Sequence, residues 1–255
     1  DNRIKDMKMK SFNISAEDTE LLLSKVNEAF NTEINDILLT ALGLAVRQTY
    51  GHEKVLIALE GHGREDILAD VDISRTVGWF TSVYPLLLDV SMAEDLSRQI
   101  KEVKESLHKI PSKGVGYGIL KYLTAPENKQ GFTFDLKPQI SFNYLGQFDS
   151  DMNRDSLKMA AESQGRGIDQ EMGIDYDLVV TGILARKTLN LSVQYSNKQF
   201  KAETISLLTD NLHEQLKKII AYCVSREEKE ITPSDLTYDG LSIDTMESLS
   251  AMFDD

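Results

Sequence analysis

The spacing of apolar positions changes several times along the chain, and each change marks an element. From Lys8 to Ile14, Met9, Ser11 and Asn13 alternate with Lys10, Phe12 and Ile14, the period-two pattern of a strand. Ser15 follows as a helix cap, with Asp18 in a position like that of a capping box and Leu21, Leu22, Val26 and Phe30 inside. A second helix is expected after Thr32, because Ile34, Leu38, Leu42 and Val46 recur every four residues until Gly51 stops it. Val55–Glu60 reads as a short buried strand that ends in the turn Gly61-His62-Gly63. Val77–Val90 is β-prone, with Pro85 tolerated near an edge or a bulge. Met92–Ile110 predicts a charged amphipathic helix, and Val115–Leu123 another after Pro111 and a glycine-rich stretch. Gln139–Phe148 reads as a strand, Tyr176–Leu184 with Thr188–Tyr195 as a hairpin, and Ala202–Val224 as a long helix. Strands and helices alternate early and a hairpin comes late, which predicts an α/β fold: a mixed β-sheet flanked by helices.

Two segments break the pattern. Asp149–Asp175 is polar, acid-rich and glycine-containing, a long loop of the kind that carries a task. From Ser234 to Asp255 there is no Lys or Arg, while Asp235, Asp239, Asp244, Glu247, Asp254 and Asp255 are acidic. Pro233 separates this tail from the body, Ser242 is a helix-cap candidate, and Met246, Leu249 and Phe253 fall on one helical face. The expected organisation is a body over residues 1–231 and an acidic tail over residues 232–255.

Composition narrows the function classes. With 255 residues and 41% hydrophobic positions the chain can bury a real core. A formal net charge of −13 disfavours nucleic acid and anionic membrane surfaces, since no basic stripe is present to neutralise phosphates. The single cysteine, Cys223, sits in an apolar helical stretch and reads as a small core residue, which suits a reducing cytoplasm. No apolar run is long enough to span a bilayer, and the start has no signal-peptide core. Metal-ligand spacing, a P-loop and a dinucleotide fingerprint are all missing.

The most suggestive chemistry is Glu60-Gly61-His62-Gly63-Arg64-Glu65. A carboxylate at the end of a buried strand, followed by glycines, can sit where water is scarce and a substrate can approach closely. Burial would raise its pKa and make it a competent acid or base near neutrality. Read alone, the segment fits a structural turn, with Arg64 pairing a nearby acid, at least as well.

Its neighbours shift that balance. Thr32-Glu33-Ile34-Asn35-Asp36-Ile37-Leu38-Leu39-Thr40-Ala41 precedes it, and Arg75-Thr76-Val77-Gly78-Trp79-Phe80-Thr81-Ser82-Val83-Tyr84-Pro85 follows. Then come Gly114-Val115-Gly116-Tyr117-Gly118 and Phe142-Asn143-Tyr144-Leu145-Gly146-Gln147-Phe148-Asp149. In this order the segments resemble the conserved blocks of nonribosomal peptide synthetase epimerization domains, from about Lys8 to Glu230. Related condensation domains share the architecture but usually lack a glutamate block of this type and the wording around Trp79.

The resemblance implies a chloramphenicol-acetyltransferase-like fold of two lobes around a tunnel, this chain being the C-terminal lobe. The family's HHxxxDG motif belongs to the N-terminal lobe and has no counterpart here: His52, His62, His108 and His213 are isolated. The implied reaction is L-to-D inversion at the α-carbon of an aminoacyl or peptidyl thioester, in the making of peptide antibiotics or lipopeptides. The thioester hangs on the 4′-phosphopantetheine arm of a peptidyl carrier protein, and no cofactor is bound by the chain itself. Glu60 would be one member of the acid–base pair and the histidine of the missing lobe the other, or a stabiliser of the enolate-like intermediate. Asn143 and Tyr144 would line the tunnel, although a structural hydrogen bond serves a strand Asn equally well. Trp79 and Phe80 are expected in the core or tunnel wall, and His62 beside the site or in a structural hydrogen bond. Asn35 and Asp36 are expected to organise a helix, and Gly116 and Gly118 a helix entry.

The alternatives are a condensation-type lobe that forms peptide bonds and a non-catalytic docking fragment; alone, the chain should be inactive. Thr232-Pro233-Ser234-Asp235 resembles the marker that precedes a donor communication segment in this family. That implies docking through Met246, Leu249 and Phe253 onto a basic, apolar-grooved start of a downstream synthetase subunit. A plain linker, or a tail packed on its own lobe, are the other readings.

Overall fold

The computed structural model describes residues 2–91, 95–129, 131–147, 162, 165, 167–237 and 240–253, with the backbone alone for 249–251 and 253. Six strands form one sheet in the order β1-β6-β5-β4-β2-β3, with β1 Met7–Asn13, β2 Lys54–Gly61, β3 Ser82–Asp89, β4 Ile140–Gln147, β5 Leu178–Ala185 and β6 Thr188–Ser196. β2 and β5 each run parallel to β4, whereas β1–β6, β5–β6 and β2–β3 are antiparallel, so the sheet is mixed. The expected hairpin is β5–β6, turned through Arg186 and Lys187 at positive φ.

Strand alternation gives the sheet two unlike faces. One carries Ile57, Leu59, Leu86, Leu88, Ile140, Phe142, Leu178, Val180, Leu191 and Val193, all buried. The helices α1 Ala16–Leu23, α2 Lys25–Phe30, α3 Ile34–Tyr50, α4 Leu96–His108 and α6 Ala202–Val224 supply the other side of that core. Cys223 is buried there, and its thiol is pushed up to about 12 by burial. The opposite face presents Ser141, Asn143, Val179, Thr181, Ser192 and Gln194, a polar surface no helix core requires.

Several elements depart from the pattern that predicted them. The helix begun at Ser15, whose Oγ accepts from Asp18 N at 3.0 Å, breaks at Ser24, where the side chain donates to the Glu20 carbonyl at 2.6 Å. The stretch before β3 is not strand: residues 62–81 run as irregular loop without a partner strand, and Val77 and Trp79 are 100% and 92% exposed. β propensity without a neighbour to pair with makes no strand. α4 starts only after Asp95, whose carboxylate caps Arg98 N at 3.0 Å. Val115–Leu123 is helical throughout as expected, and only its hydrogen bonding differs: α5 Val115–Gly118 runs on into a π turn closed by Thr124 N to Ile119 O at 3.0 Å. Most of the Asp149–Asp175 loop lies outside the described residues. Its last part is tied to this lobe's own beginning, by Ile4 N to Met172 O at 3.0 Å and Lys5 Nζ to Glu171 at 2.7 Å.

Candidate active site

Glu60 is the penultimate residue of β2, directly opposite Val83 of β3 and two positions beyond Ala58, which pairs with Ser141 of β4. Period-two geometry therefore puts Glu60, Ser141 and Asn143 on the same open face. Asn143 Nδ2 donates to Glu60 Oε2 at 2.6 Å, and the buried Ser141 hydroxyl also bonds the carboxylate. Burial raises the Glu60 carboxyl above its ordinary range, and the Ser141 hydrogen bond takes back part of that rise. Beside it, a pocket of about 390 Å³ is bounded by Ala58, Val83, Tyr117, Lys121, Tyr122 and Tyr176. Tyr176 is shifted upward by burial and then by the negative charges of Asp175 and Glu60, which puts it within electrostatic reach of the carboxylate.

The turn after Glu60 is held by backbone demands. Gly63 has φ 66°, and a Cβ there would stand 1.6 Å from the Phe80 carbonyl oxygen, so only glycine fits. Gly114, at φ 80°, is pressed so closely on the Tyr84 ring that a Cβ would come within 2.1 Å. Among the described residues Arg64 pairs with no acid. It donates to the carbonyls of Ile73 at 2.7 Å and Gly78 at 3.3 Å and lies 4.3 Å over the Phe80 ring, strutting the loop that returns to β3.

The structure thus brings Glu60 and Asn143 together and leaves the other expected residues elsewhere. The His62 side chain is 63% exposed, accepts from Arg64 N at 2.9 Å and faces Glu65 at 3.2 Å, which is the turn-structuring alternative. Trp79 is on the surface of this lobe and outside its core. Tyr144 packs on the core side, against Gly182, its hydroxyl raised by burial. Asp36 does organise a helix: its carboxylate accepts from Glu33 N at 2.7 Å and meets His108 Nε2 at 3.5 Å. Left-handed backbone occurs at Gly114, not at Gly116 or Gly118. Sequence pattern marks neither Ser141 nor Tyr176 as a site residue, although Ser141 shares the Asn143 face in any strand over Gln139–Phe148. Among the described residues no group of three or more His, Cys, Asp or Glu is placed to hold a metal ion, and no helix is long and apolar enough to cross a membrane.

The tail lies along α4. A 3-10 turn, Pro233–Asp235, is followed by α7 Ile243–Phe253, where Ser242 Oγ accepts from Thr245 N at 3.2 Å and Ile243 is buried. Met246 is half-buried and Met252 exposed, while the side chains of Leu249 and Phe253 lie outside the described residues.

A mixed sheet packed by helices on one face and carrying an oriented, half-buried carboxylate on the other defines a chloramphenicol-acetyltransferase-like lobe. The chain belongs to the condensation domain family, whose model matches residues 1–241. It is similar to surfactin synthase subunit 1 of Bacillus subtilis (strain 168), 44% identical over 99% of this chain, which spans 7% of that protein. The epimerization domain from the third module of tyrocidine synthetase B superposes with a TM-score of 0.83 at 42% identity, covering 89% of this chain and 51% of that one. The condensation domain from the Monacolin K polyketide synthase shares the fold, with a TM-score of 0.61 at 15% identity over 87% of this chain and 48% of that one. The chain is thus part of a nonribosomal peptide synthetase domain of the condensation family and spans about half the length of the domains it superposes on.

Proposed function

We propose that this lobe supplies one half of an epimerization site, inverting the α-carbon of an aminoacyl or peptidyl thioester borne on the 4′-phosphopantetheine of a peptidyl carrier protein. The observation that carries the reading is the Glu60 carboxyl, half-buried on the open sheet face, oriented by Asn143 and Ser141 and raised in pKa. The much higher identity to an epimerization domain than to a condensation domain of the same fold, 42% against 15%, supports it.

A thioester acidifies its α-proton, yet inversion still needs a base on one face and an acid on the other. Glu60 takes or returns the proton on its side. The partner group comes from the HHxxxDG motif of an N-terminal lobe across the tunnel, so the two reach opposite faces of the same carbon. Asn143 and Ser141 keep the carboxylate in one orientation while the proton moves. The tail is read as a donor docking helix for a downstream synthetase subunit.

In the two-lobe domain, Glu60→Gln keeps the fold and lowers deuterium washout from a carrier-bound aminoacyl thioester by on the order of a hundredfold or more. Washout near the wild-type rate would remove Glu60 from the mechanism.

A further inference from the structure

Helix α4 carries Arg98, Lys101 and Lys104 one turn apart on a single face, and the C-terminal segment lies along that face. Arg98 meets Asp244 at 2.6 Å and Glu247 at 3.0 Å, and Lys101 meets Glu247 at 2.9 Å. Lys104 meets both oxygens of Asp235 at 2.7 Å. These contacts form two groups that differ in kind. Lys104 is fully buried and holds Asp235 and the Phe30 carbonyl, and Asp235 is its one ionic partner among the described residues. Removing the Pro233–Asp235 turn would strand a buried ammonium, so that turn is fixed. Arg98 and Lys101 each have a second carboxylate within the body: Glu102 at 2.7 Å and Glu230 at 3.0 Å. The acids they share with α7 are largely solvent-exposed, Asp244 at 79% and Glu247 at 48%. Helix α7 can therefore leave without orphaning a charge, and salt weakens its hold.

We propose that α4 is an intramolecular seat for α7, and that seating competes with docking of the tail onto a basic partner helix. The proposal rests on the docking reading of the tail. Asp244 and Glu247 are the acids a cationic partner would engage, and on the lobe they are already engaged by Arg98 and Lys101. The Lys104–Asp235 pair is the post from which α7 swings, with Gly240 between the two.

The test uses the two-lobe domain with its tail and, as probe, a synthetic Lys/Leu amphipathic helical peptide. In the wild type, amide protection of 243–253 should fall as salt rises while 232–235 stays protected. Arg98→Glu with Lys101→Glu should leave α7 unprotected at all salt concentrations and tighten peptide binding by on the order of tenfold, as expected when a mostly closed state is opened. Asp244→Asn with Glu247→Gln should release α7 equally without touching α4, which guards against a folding defect in the first variant. Unchanged protection of α7 in both variants overturns the seat. Release of α7 with equal peptide affinity in wild type and the α4 variant overturns competition while docking stands. Release with no peptide binding to either overturns the docking reading itself.

Discussion

Burial and hydrogen bonding pull the Glu60 carboxyl in opposite directions, and burial prevails. Its folded pKa therefore exceeds its unfolded one, and between the two the native state binds more protons than the unfolded state. Its contribution to stability is full below the ordinary carboxylate range and is lost as pH rises through the raised value. Glu60→Gln removes that slope, so the variant should gain on the wild type as pH rises across this window. Urea denaturation at a series of pH values checks the sign; parallel curves would show that Glu60 is solvated as an ordinary surface acid. The candidacy of Glu60 and Asn143 was legible from residue type and block order, because a carboxylate before glycines and an Asn on a strand are local facts. The surface position of Trp79 and the core position of Tyr144 were not legible, since both depend on what packs over them.

Among the elements, α4 does two jobs: Ile100 and Val103 enter the core while its basic face receives the chain's end. Burial pushes the Asp235 carboxyl up, but hydrogen bonds from Lys104, the Thr232 amide and Asn31 overcome this and hold it below the usual range. Its stabilisation is present above the unfolded pKa and lost as pH falls through the folded one. Asp235→Asn leaves Lys104 buried without its counter-charge and should cost about 3 kcal/mol near neutrality, with a weaker acid dependence than the wild type. Chemical denaturation at neutral and acid pH measures both, and a loss below about 0.5 kcal/mol would make the pair a surface contact in effect. Truncation after Asp235 is a different matter, because Arg98 and Lys101 keep Glu102 and Glu230 when the exposed acids of α7 are removed. It should leave the melting of the lobe nearly unchanged and, on the docking reading, abolish transfer of the acyl chain to the downstream subunit. Melting on truncation, or transfer that persists, would make the tail structural or idle. The helical nature of α7 was legible from its amphipathic spacing and cap; its place on α4 was not, because charge complementarity across the fold leaves no periodic trace.

For the molecule as a whole, the unlike faces of the sheet decide what the chain can do alone. The helix-covered face buries a continuous core, so the lobe should fold by itself. The other face holds Glu60 beside a pocket bounded by Tyr117, Lys121, Tyr122 and Tyr176, and on the proposed reading its acid–base partner belongs to the other lobe, so the isolated lobe should show no inversion of a carrier-bound aminoacyl thioester by chiral analysis. Measurable turnover would mean that Glu60 and its neighbours form a complete site, against the split-site reading. Periodicity alone was enough for most strands and helices and for the mixed α/β class, because those follow from sterics and burial between residues a few positions apart. It failed where an element needs a distant partner. Residues 77–81 have strand chemistry and no strand to pair with. The site belongs to this second kind. Glu60 and Asn143 stand 83 positions apart and come within 2.6 Å because β2 inserts between β3 and β4 in one particular register. A slip of one residue would turn every side chain of β2 to the other face, and that register is set by the packed core, not by the local pattern of either strand.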